Sequence, residues 1–185
     1  ELRKKNRGSF FMNCDVHVIC GPTASGKSAL ACEMAEDLGG VVINADSMQV
    51  YNALPILTAQ PTQEDKDRVP HRLYGHLPPA EKSSAPRWRE TALEEIASCD
   101  RKGKVPVVVG GTGFYLKVLL EGLSPIPDVP REIRERSEKF LALEGRENLH
   151  ALLNAKDPET AQKISSSDTQ RLVRAWEVLM HTGKG

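Results

Sequence analysis

A glycine-rich stretch near the amino terminus has the residue types and spacing of a phosphate-binding loop. Residues 21–28, Gly-Pro-Thr-Ala-Ser-Gly-Lys-Ser, match the pattern G-x-x-x-x-G-K-[ST] at every position. Glycines let such a loop turn tightly, so that its N–H groups and the start of the next helix face an anion. Lys27 would add a positive charge, and the Ser28 hydroxyl could ligate Mg²⁺. The motif therefore predicts phosphate binding but does not by itself identify a nucleotide.

A carboxylate follows the second apolar run of the chain. Asp46 opens the segment Asp-Ser-Met-Gln-Val-Tyr at residues 46–51. A carboxylate in this place could act as a general base or anchor a substrate, but Asp and Ser also favour caps and turns. The Gln49 amide could read the edge of a base, because it both donates and accepts hydrogen bonds. On position alone a solvated surface group is the favoured interpretation of Gln49, whereas for Asp46 position favours neither alternative.

A second glycine-rich loop, Gly-Gly-Thr-Gly, occupies residues 110–113. Its glycines could serve only the backbone dihedral angles of a strand-to-helix turn. That explanation does not account for Thr112, whose hydroxyl could point into a site. We therefore include Thr112 among the candidate residues.

Two arginines near the end of the chain share one helical face, because Arg171 and Arg174 are three residues apart. They could form local ion pairs with Asp168 and Glu177, which have helix-pair spacing. They could instead hold a diphosphate, since a guanidinium can bind phosphate oxygens through two parallel hydrogen bonds. Arg134 is open to the same two interpretations.

Alternating strands and helices must position these residues. Apolar runs predict strands at residues 17–20, 41–43 and 105–109, and helical patterns follow at 27–38, 88–102 and 114–120. The alternation predicts an α/β fold with a P-loop NTPase-like parallel sheet flanked by helices. Ligands bind such sheets at the carboxyl ends of the strands, where all three loops fall. Pro106 predicts an edge strand or a strand start, and the polar segment 60–86 is predicted to lie outside the core.

The chain is predicted to have two parts. A P-loop α/β core should occupy residues 12–123, and Met12 could be the natural initiator. Prolines at 125, 127 and 130 then mark a joint. Residues 124–185 are predicted to be mostly helical and to return to the core, with helices at 131–143, 147–155 and 167–180.

Composition restricts the class of protein. The chain has 185 residues, of which 39% are hydrophobic and 27% charged, as expected for a soluble globular protein. No apolar run suits a membrane span or a signal peptide, so we expect a cytoplasmic protein without membrane contact, and a monomer. The cysteines show no CxxC pair, which predicts reduced thiols, with Cys20 and Cys32 in the core. The formal net charge is zero, so nucleic-acid binding would depend on local arginines.

Taken together, four segments resemble the tRNA dimethylallyltransferase family, also called tRNA isopentenyltransferases. They are residues 21–28, residues 45–51 (Ala-Asp-Ser-Met-Gln-Val-Tyr), residues 110–115 (Gly-Gly-Thr-Gly-Phe-Tyr) and residues 168–178 (Asp-Thr-Gln-Arg-Leu-Val-Arg-Ala-Trp-Glu-Val). The segments occur in the order found in the family, and the resemblance runs from about residue 16 to the end of the chain.

The resemblance implies transfer of a dimethylallyl group from dimethylallyl diphosphate to the exocyclic N6 amine of the adenosine 3′ of the anticodon in tRNA, with Mg²⁺. Asp46 would accept the proton of that amine, and Arg174 would help to bind the diphosphate. Asp46, Thr112 and Arg174 are the implied catalytic residues. The implied diphosphate ligands are Gly21, Thr23, Ala24, Ser25, Gly26, Lys27 and Ser28. The implied contacts with tRNA are Asp46, Ser47, Met48, Gln49, Thr112, Arg134, Gln170, Arg171, Leu172, Val173 and Arg174.

The chain departs from the family pattern in two places. Where the family often has Pro-His-His, residues 70–72 are Pro-His-Arg, so we carry no role to that stretch. The family also continues past Gly185, so we expect the chain to be truncated relative to it.

Other functions remain open. An enzyme that prenylates AMP or ADP would share the fold, although the helical stretch after Pro130 favours tRNA as the acceptor. A small-molecule P-loop kinase would also carry an Asp after the second strand and glycines after the third. A GTP switch ranks last, because the sequence lacks the guanine motif Asn-Lys-x-Asp.

Overall fold

The computed structural model describes residues 14–123 and 128–184. The chain divides into two compact units, Glu1–Leu123 and Ser124–Gly185. Met12, Pro125 and Pro127, which entered the predictions above, lie outside the described residues. Within the described ranges, no helix combines the length and the apolar character needed to cross a membrane.

The first unit is built on a parallel sheet of four strands in the order β1-β4-β2-β3. The strands are β1 His17–Cys20, β2 Val41–Asn44, β3 His71–Arg72 and β4 Pro106–Gly110. The helices are α1 Lys27–Asp37, α2 Gln63–Arg68, α3 Ala85–Arg101 and α4 Gly113–Glu121. The predicted P-loop NTPase-like parallel sheet is therefore confirmed. Pro106 is a strand start, but the edge alternative is wrong because β4 lies between β1 and β2.

Apolar residues cover both faces of the sheet, because successive strand side chains point to opposite sides. Ile43 and Val108 pack with α3 and α4 on one face, and Val42, Val107 and Val109 pack with α1 on the other. These strand residues are all buried, as expected for a parallel sheet covered on both faces.

The buried face of α1 consists of small residues, namely Ala31, Cys32 and Ala35. The four-residue spacing of Leu30, Met34 and Leu38 predicts that they share one helical face, but Leu30 and Leu38 are 50% and 44% exposed. Small side chains let the helix backbone approach the sheet closely. Cys32 is buried as predicted, but Cys20 at the end of β1 is exposed, so its predicted core position is wrong.

The segment 60–86 contributes to the fold, contrary to the prediction that it lies outside the core. Thr62 and Asp65 form a reciprocal capping box that starts α2, and β3 then adds an edge strand beside β2. Buried side chains follow at isolated positions, including Val69 at 4% and Leu77 at 6% exposure. Their wide spacing leaves no apolar run for a periodicity search to detect.

The second unit is helical, as predicted. Its helices are α5 Arg131–Lys156, α6 Pro158–Lys163 and α7 Thr169–Thr182. As predicted, two helical segments lie between residues 131 and 155, because α5 is interrupted at Gly145, whose φ is 79° and whose backbone is not helical. Leu172 is fully buried with Leu149 and Leu153, and Trp176 and Leu179 pack against that core. The spacing of Leu172, Trp176 and Leu179 predicts that they form the inward face of this helix, and the structure confirms it.

Gly110→Ala should destabilise the first unit. A Cβ at residue 110 would overlap the backbone carbonyl of Ala45, and overpacking of this kind costs about 1–3 kcal/mol or more of the free energy of unfolding. Urea unfolding should show a lower midpoint for Gly110→Ala. Gly113→Ala is the matched control, because no atom lies within 4 Å of a Cβ at that position. Equal urea midpoints for the two variants would contradict the close approach of Gly110 to the Ala45 backbone.

Candidate active site

The phosphate loop joins β1 to α1 with its backbone in two left-handed conformations. The φ angles are 63° at Ala24 and 80° at Gly26. Gly26 is the N-cap of α1, and no side chain caps the helix there. The first N–H groups of α1 therefore lack a side-chain acceptor and can bind an anion. A Cβ on Gly21 would lie 3.0 Å from Ser25 Oγ, so glycine keeps this turn tight.

Lys27 and Ser28 lie in the first turn of α1. The Lys27 ammonium donates a hydrogen bond to the Pro22 carbonyl, with Nζ and O 3.0 Å apart. The long side chain thus folds back over the loop, and a bound phosphate could replace the carbonyl as its acceptor. The Ser28 side chain is exposed.

The Asp46 backbone is fixed by a buried amide that the sequence analysis did not identify. Asn44, the last residue of β2, is 0% exposed. Its Oδ1 accepts from the Asp46 N–H at 2.8 Å, and its Nδ2 donates to the carbonyls of Asp46 at 2.9 Å and Leu73 at 3.0 Å. The Trp88 indole N–H donates to the Asn44 carbonyl at 2.9 Å. Asn44 is therefore the residue that holds the Asp46 turn against the edge of the sheet.

Only one oxygen of the Asp46 carboxylate takes part in the turn. Its Oδ1 accepts from the Met48 N–H at 2.9 Å, which confirms the turn alternative for that oxygen. Its Oδ2 lies toward Gly111, 3.9 Å from the position that a Cβ there would take. The bond to Oδ1 orients the carboxylate, and Oδ2 can still accept a proton.

Thr112 joins the second glycine loop to the Asp46 turn. Its Oγ1 accepts from the Ser47 N–H at 2.9 Å and donates to the Ser47 hydroxyl at 3.2 Å. A Cβ on Gly111 would lie 3.4 Å from the Gly21 carbonyl oxygen. The phosphate loop, the Asp46 turn and the Gly111–Thr112 loop therefore meet at one place, as the sheet topology predicts.

The Gln49 side chain is bonded to the backbone of a neighbouring loop and is not a freely solvated group. Its Nε2 donates to the carbonyls of Thr58 at 2.8 Å and Ala59 at 3.0 Å. Both amide hydrogens are engaged, so the side chain can offer a base only its carbonyl oxygen while these bonds persist. The solvated alternative is wrong, and a contact with adenosine stays a prediction.

The remaining candidates lie in the second unit. The predicted local ion pairs are present: Arg171 Nε is 3.4 Å from Asp168 Oδ2, and Arg174 Nη1 is 3.3 Å from Glu177 Oε2. Leu172 is fully buried in the core of that unit, so only its backbone could contact RNA. The implied contacts of Arg134, Gln170, Arg171, Val173 and Arg174 with tRNA or diphosphate stay predictions.

Next to Ser28 lies a cavity of about 260 Å³ that the sequence analysis did not anticipate. His71 lines it together with Cys32 and Tyr74. Burial lowers the pKa of His71 and raises the pKa of the Cys32 thiol. His71 Nδ1 lies 2.9 Å from the Val69 carbonyl, which can only accept, so Nδ1 carries the proton. Nε2, 3.5 Å from Cys32 Sγ, is then the acceptor for the thiol.

The described residues suit Mg²⁺ that is held mainly by a bound diphosphate. In the ranges that the structure describes, no group of three or more His, Cys, Asp or Glu side chains could hold a metal ion. Mg²⁺ commonly takes one or two protein oxygens and completes its shell with phosphates and water. The exposed Ser28 hydroxyl at the phosphate loop fits that requirement.

Two family models match the chain. The model described as isopentenyl transferase matches residues 14–75, and the model described as IPP transferase matches residues 49–185. The tRNA dimethylallyltransferase of Rhodospirillum centenum is 53% identical over 169 residues, which are 91% of this chain and 54% of that protein. The enzyme of the same name from Rhizobium meliloti is 51% identical over 170 residues, 92% of this chain and 56% of that protein. The chain thus spans about half the length of the curated relatives it matches.

Solved structures of two transferases also resemble this chain. A tRNA isopentenylpyrophosphate transferase from Bacillus halodurans is 35% identical, with a TM-score of 0.59 over 91% of this chain and 56% of that one. A eukaryotic dimethylallyltransferase acting on tRNA is 32% identical, with a TM-score of 0.80 over 91% of this chain and 42% of that one.

Asn44→Ala should destabilise the Asp46 turn. The substitution leaves the Asp46 N–H and the Leu73 carbonyl without their partner, and an unsatisfied buried group costs about 1–3 kcal/mol. Asn52→Ala is the matched control in the same unit, because Asn52 is exposed and such changes are usually within about 0.5 kcal/mol. Urea unfolding of both variants measures the difference. If Asn44→Ala were as stable as the control, the Asn44 amide would not be what holds the Asp46 turn in place.

Proposed function

The chain belongs to the tRNA dimethylallyltransferase family, and we propose that it transfers a dimethylallyl group from dimethylallyl diphosphate to the N6 amine of the adenosine 3′ of the anticodon in tRNA. The observation that carries this proposal is the meeting of three loops around Gly111. A phosphate loop lies beside a carboxylate whose Oδ2 faces the same place. Group transfer from a diphosphate to an amine needs these two features side by side.

The phosphate loop would bind the leaving group. The uncapped N–H groups at the start of α1 and the Lys27 ammonium would bind the diphosphate oxygens, with Nζ moving from the Pro22 carbonyl. Mg²⁺ bound by Ser28 and the diphosphate would neutralise negative charge as the carbon–oxygen bond breaks. No phosphoryl group is transferred, so ATP has no part in the reaction.

The acceptor side of the reaction would use Asp46. The adenine nitrogen forms a bond to the first carbon of the dimethylallyl group, and the diphosphate leaves with the electron pair of the broken carbon–oxygen bond. The amine proton passes to Asp46, whose position is set by Asn44 and by the Met48 N–H. Thr112 keeps the Asp46 turn against the second glycine loop through its bonds to Ser47.

Transfer RNA is the acceptor that we propose, because the named relatives and the neighbouring eukaryotic enzyme are tRNA enzymes. Within the second unit, exposed Arg134 and Arg171 would contact RNA phosphates, and Arg171 would leave its surface pair with Asp168, which is worth only about 0–1 kcal/mol. Arg174 pairs with the Glu177 carboxylate, and Glu177 is only 8% exposed; the implied contact of Arg174 with the diphosphate stays a prediction.

Asp46→Asn should leave donor binding unchanged and slow the transfer step, because the amide cannot accept the amine proton. Loss of general-base assistance typically costs about 10²–10⁴-fold in rate. Single-turnover transfer to tRNA measures the step, and Asp67→Asn on the exposed face of α2 is the control. A single-turnover rate near that of the unaltered protein would remove Asp46 from the mechanism and leave it only its turn role.

Lys27→Ala should weaken binding of dimethylallyl diphosphate, because the variant loses the positive charge over the phosphate loop. Lys66→Ala in α2 removes an exposed lysine outside the loop and should have no effect. Calorimetry with dimethylallyl diphosphate and, separately, with ATP measures both affinities. Tight binding of ATP together with no binding of dimethylallyl diphosphate would favour a small-molecule kinase instead.

A further inference from the structure

One stretch of the surface next to the candidate site carries no charge. Residues 47–63 contain no Asp, Glu, Lys, Arg or His, in a chain in which 27% of residues are charged. The stretch begins with Ser47, which bonds to Thr112, and ends inside α2. It therefore begins at the candidate site, and its residues 52–57 are all exposed.

The middle of this stretch exposes three large aliphatic side chains. Leu54, Ile56 and Leu57 are 52%, 95% and 80% exposed, and we call these three residues the apolar tip. Single exposed aliphatic residues are common on protein surfaces, but a contiguous group is typical of an interaction surface. Almost none of the Ile56 side chain contributes to the core, so the fold gains nothing from its apolar character.

Hydrogen bonds hold the apolar tip in place from both sides. The Thr58 N–H and hydroxyl donate to the Leu54 carbonyl at 3.0 and 2.8 Å, which closes the turn. Gln60 Nε2 donates to the Tyr51 carbonyl at 2.6 Å across the base of the loop. Gln49 Nε2 donates to the carbonyls of Thr58 and Ala59. The tip is thus tied directly to the Asp46–Gln49 segment and cannot fold onto the core while these bonds persist.

We propose that the apolar tip packs against unpaired bases of the RNA loop that presents the target adenosine. This inference rests on the proposed function. An adenine must leave its stack to reach the donor, which leaves a gap in the stack beside its former neighbours. Apolar side chains serve as wedges between nucleic-acid bases in other proteins. A preorganised aliphatic tip tied to the site by Gln49 has the chemistry and the position for that role.

Charge and size favour RNA bases over other partners. RNA phosphates would select Lys or Arg, and an anionic membrane would attract a basic cluster, but residues 47–63 have neither. A stable protein interface buries about 800 Å² on each partner, more than three aliphatic side chains supply. Single-stranded RNA loops instead offer splayed bases that bind individual side chains.

The test is RNA binding by the double variant Ile56→Ala/Leu57→Ala in the full-length protein. Fluorescence anisotropy with a labelled anticodon stem-loop should show about a tenfold weaker affinity, as expected when the apolar area that two aliphatic side chains bury against the bases is lost. The slope of log K against log salt should not change, because no phosphate contact is removed. Affinity for dimethylallyl diphosphate should also be unchanged. Leu143→Ala is the matched control, because Leu143 is 83% exposed in the second unit.

Three outcomes would overturn the proposal. The first is an unchanged RNA affinity, and the second is an equal loss in the Leu143→Ala control. The third is a loss in the double variant that comes with a shallower salt slope, which would indicate a phosphate contact. If the unaltered protein binds no RNA, both this inference and the proposed function are rejected. If it binds RNA through the tip but transfers no dimethylallyl group, only the proposed transferase function is rejected.

Discussion

The candidate site depends on one close approach, in which the end of β4 lies directly against the backbone that follows β2. Only glycine fits at residue 110, because a side chain would overlap the Ala45 carbonyl. This contact lets the Thr112 hydroxyl reach Ser47 at 2.9 Å and leaves Gly111 beside both the Gly21 carbonyl and the Asp46 carboxylate. A phosphate loop alone would bind an anion. The contact with β4 places the Asp46 carboxylate, which follows β2, beside that loop, where we propose that it accepts a proton.

The sequence allowed the strands and loops of this site to be predicted, because each core strand is an apolar run that ends in a glycine or a polar residue. It did not reveal α2 and β3, since their buried neighbours, such as Val69 and Leu77, are isolated among polar residues and prolines. The buried face of α1 was also missed, because Ala31 and Ala35 give a weaker pattern than the larger Leu30 and Leu38. Asn44 carried no signal, since only the fold brings its amide to both Asp46 and Leu73.

The arrangement of charge suits a group-transfer enzyme that holds two very different ligands. Positive charge at the phosphate loop comes from Lys27 and the start of α1, whereas the neighbouring stretch 47–63 carries none. This division would place the diphosphate and the RNA bases on surfaces of different chemistry, one polar and one apolar. The chain's zero net charge is then compatible with RNA binding, because part of the contact would not depend on phosphates. The matched residues cover 54% and 56% of the two relatives, so further phosphate contacts can come from the rest of such a protein.

The most direct test of the central claim is mass spectrometry of tRNA nucleosides after incubation of the full-length protein with tRNA, dimethylallyl diphosphate and Mg²⁺. We expect that the adenosine 3′ of the anticodon gains the mass of one five-carbon prenyl unit and that one diphosphate is released for each modified tRNA. The gain should require no ATP. Unmodified tRNA together with ATP-dependent phosphorylation of a small molecule would contradict the account and would assign the phosphate loop to a kinase.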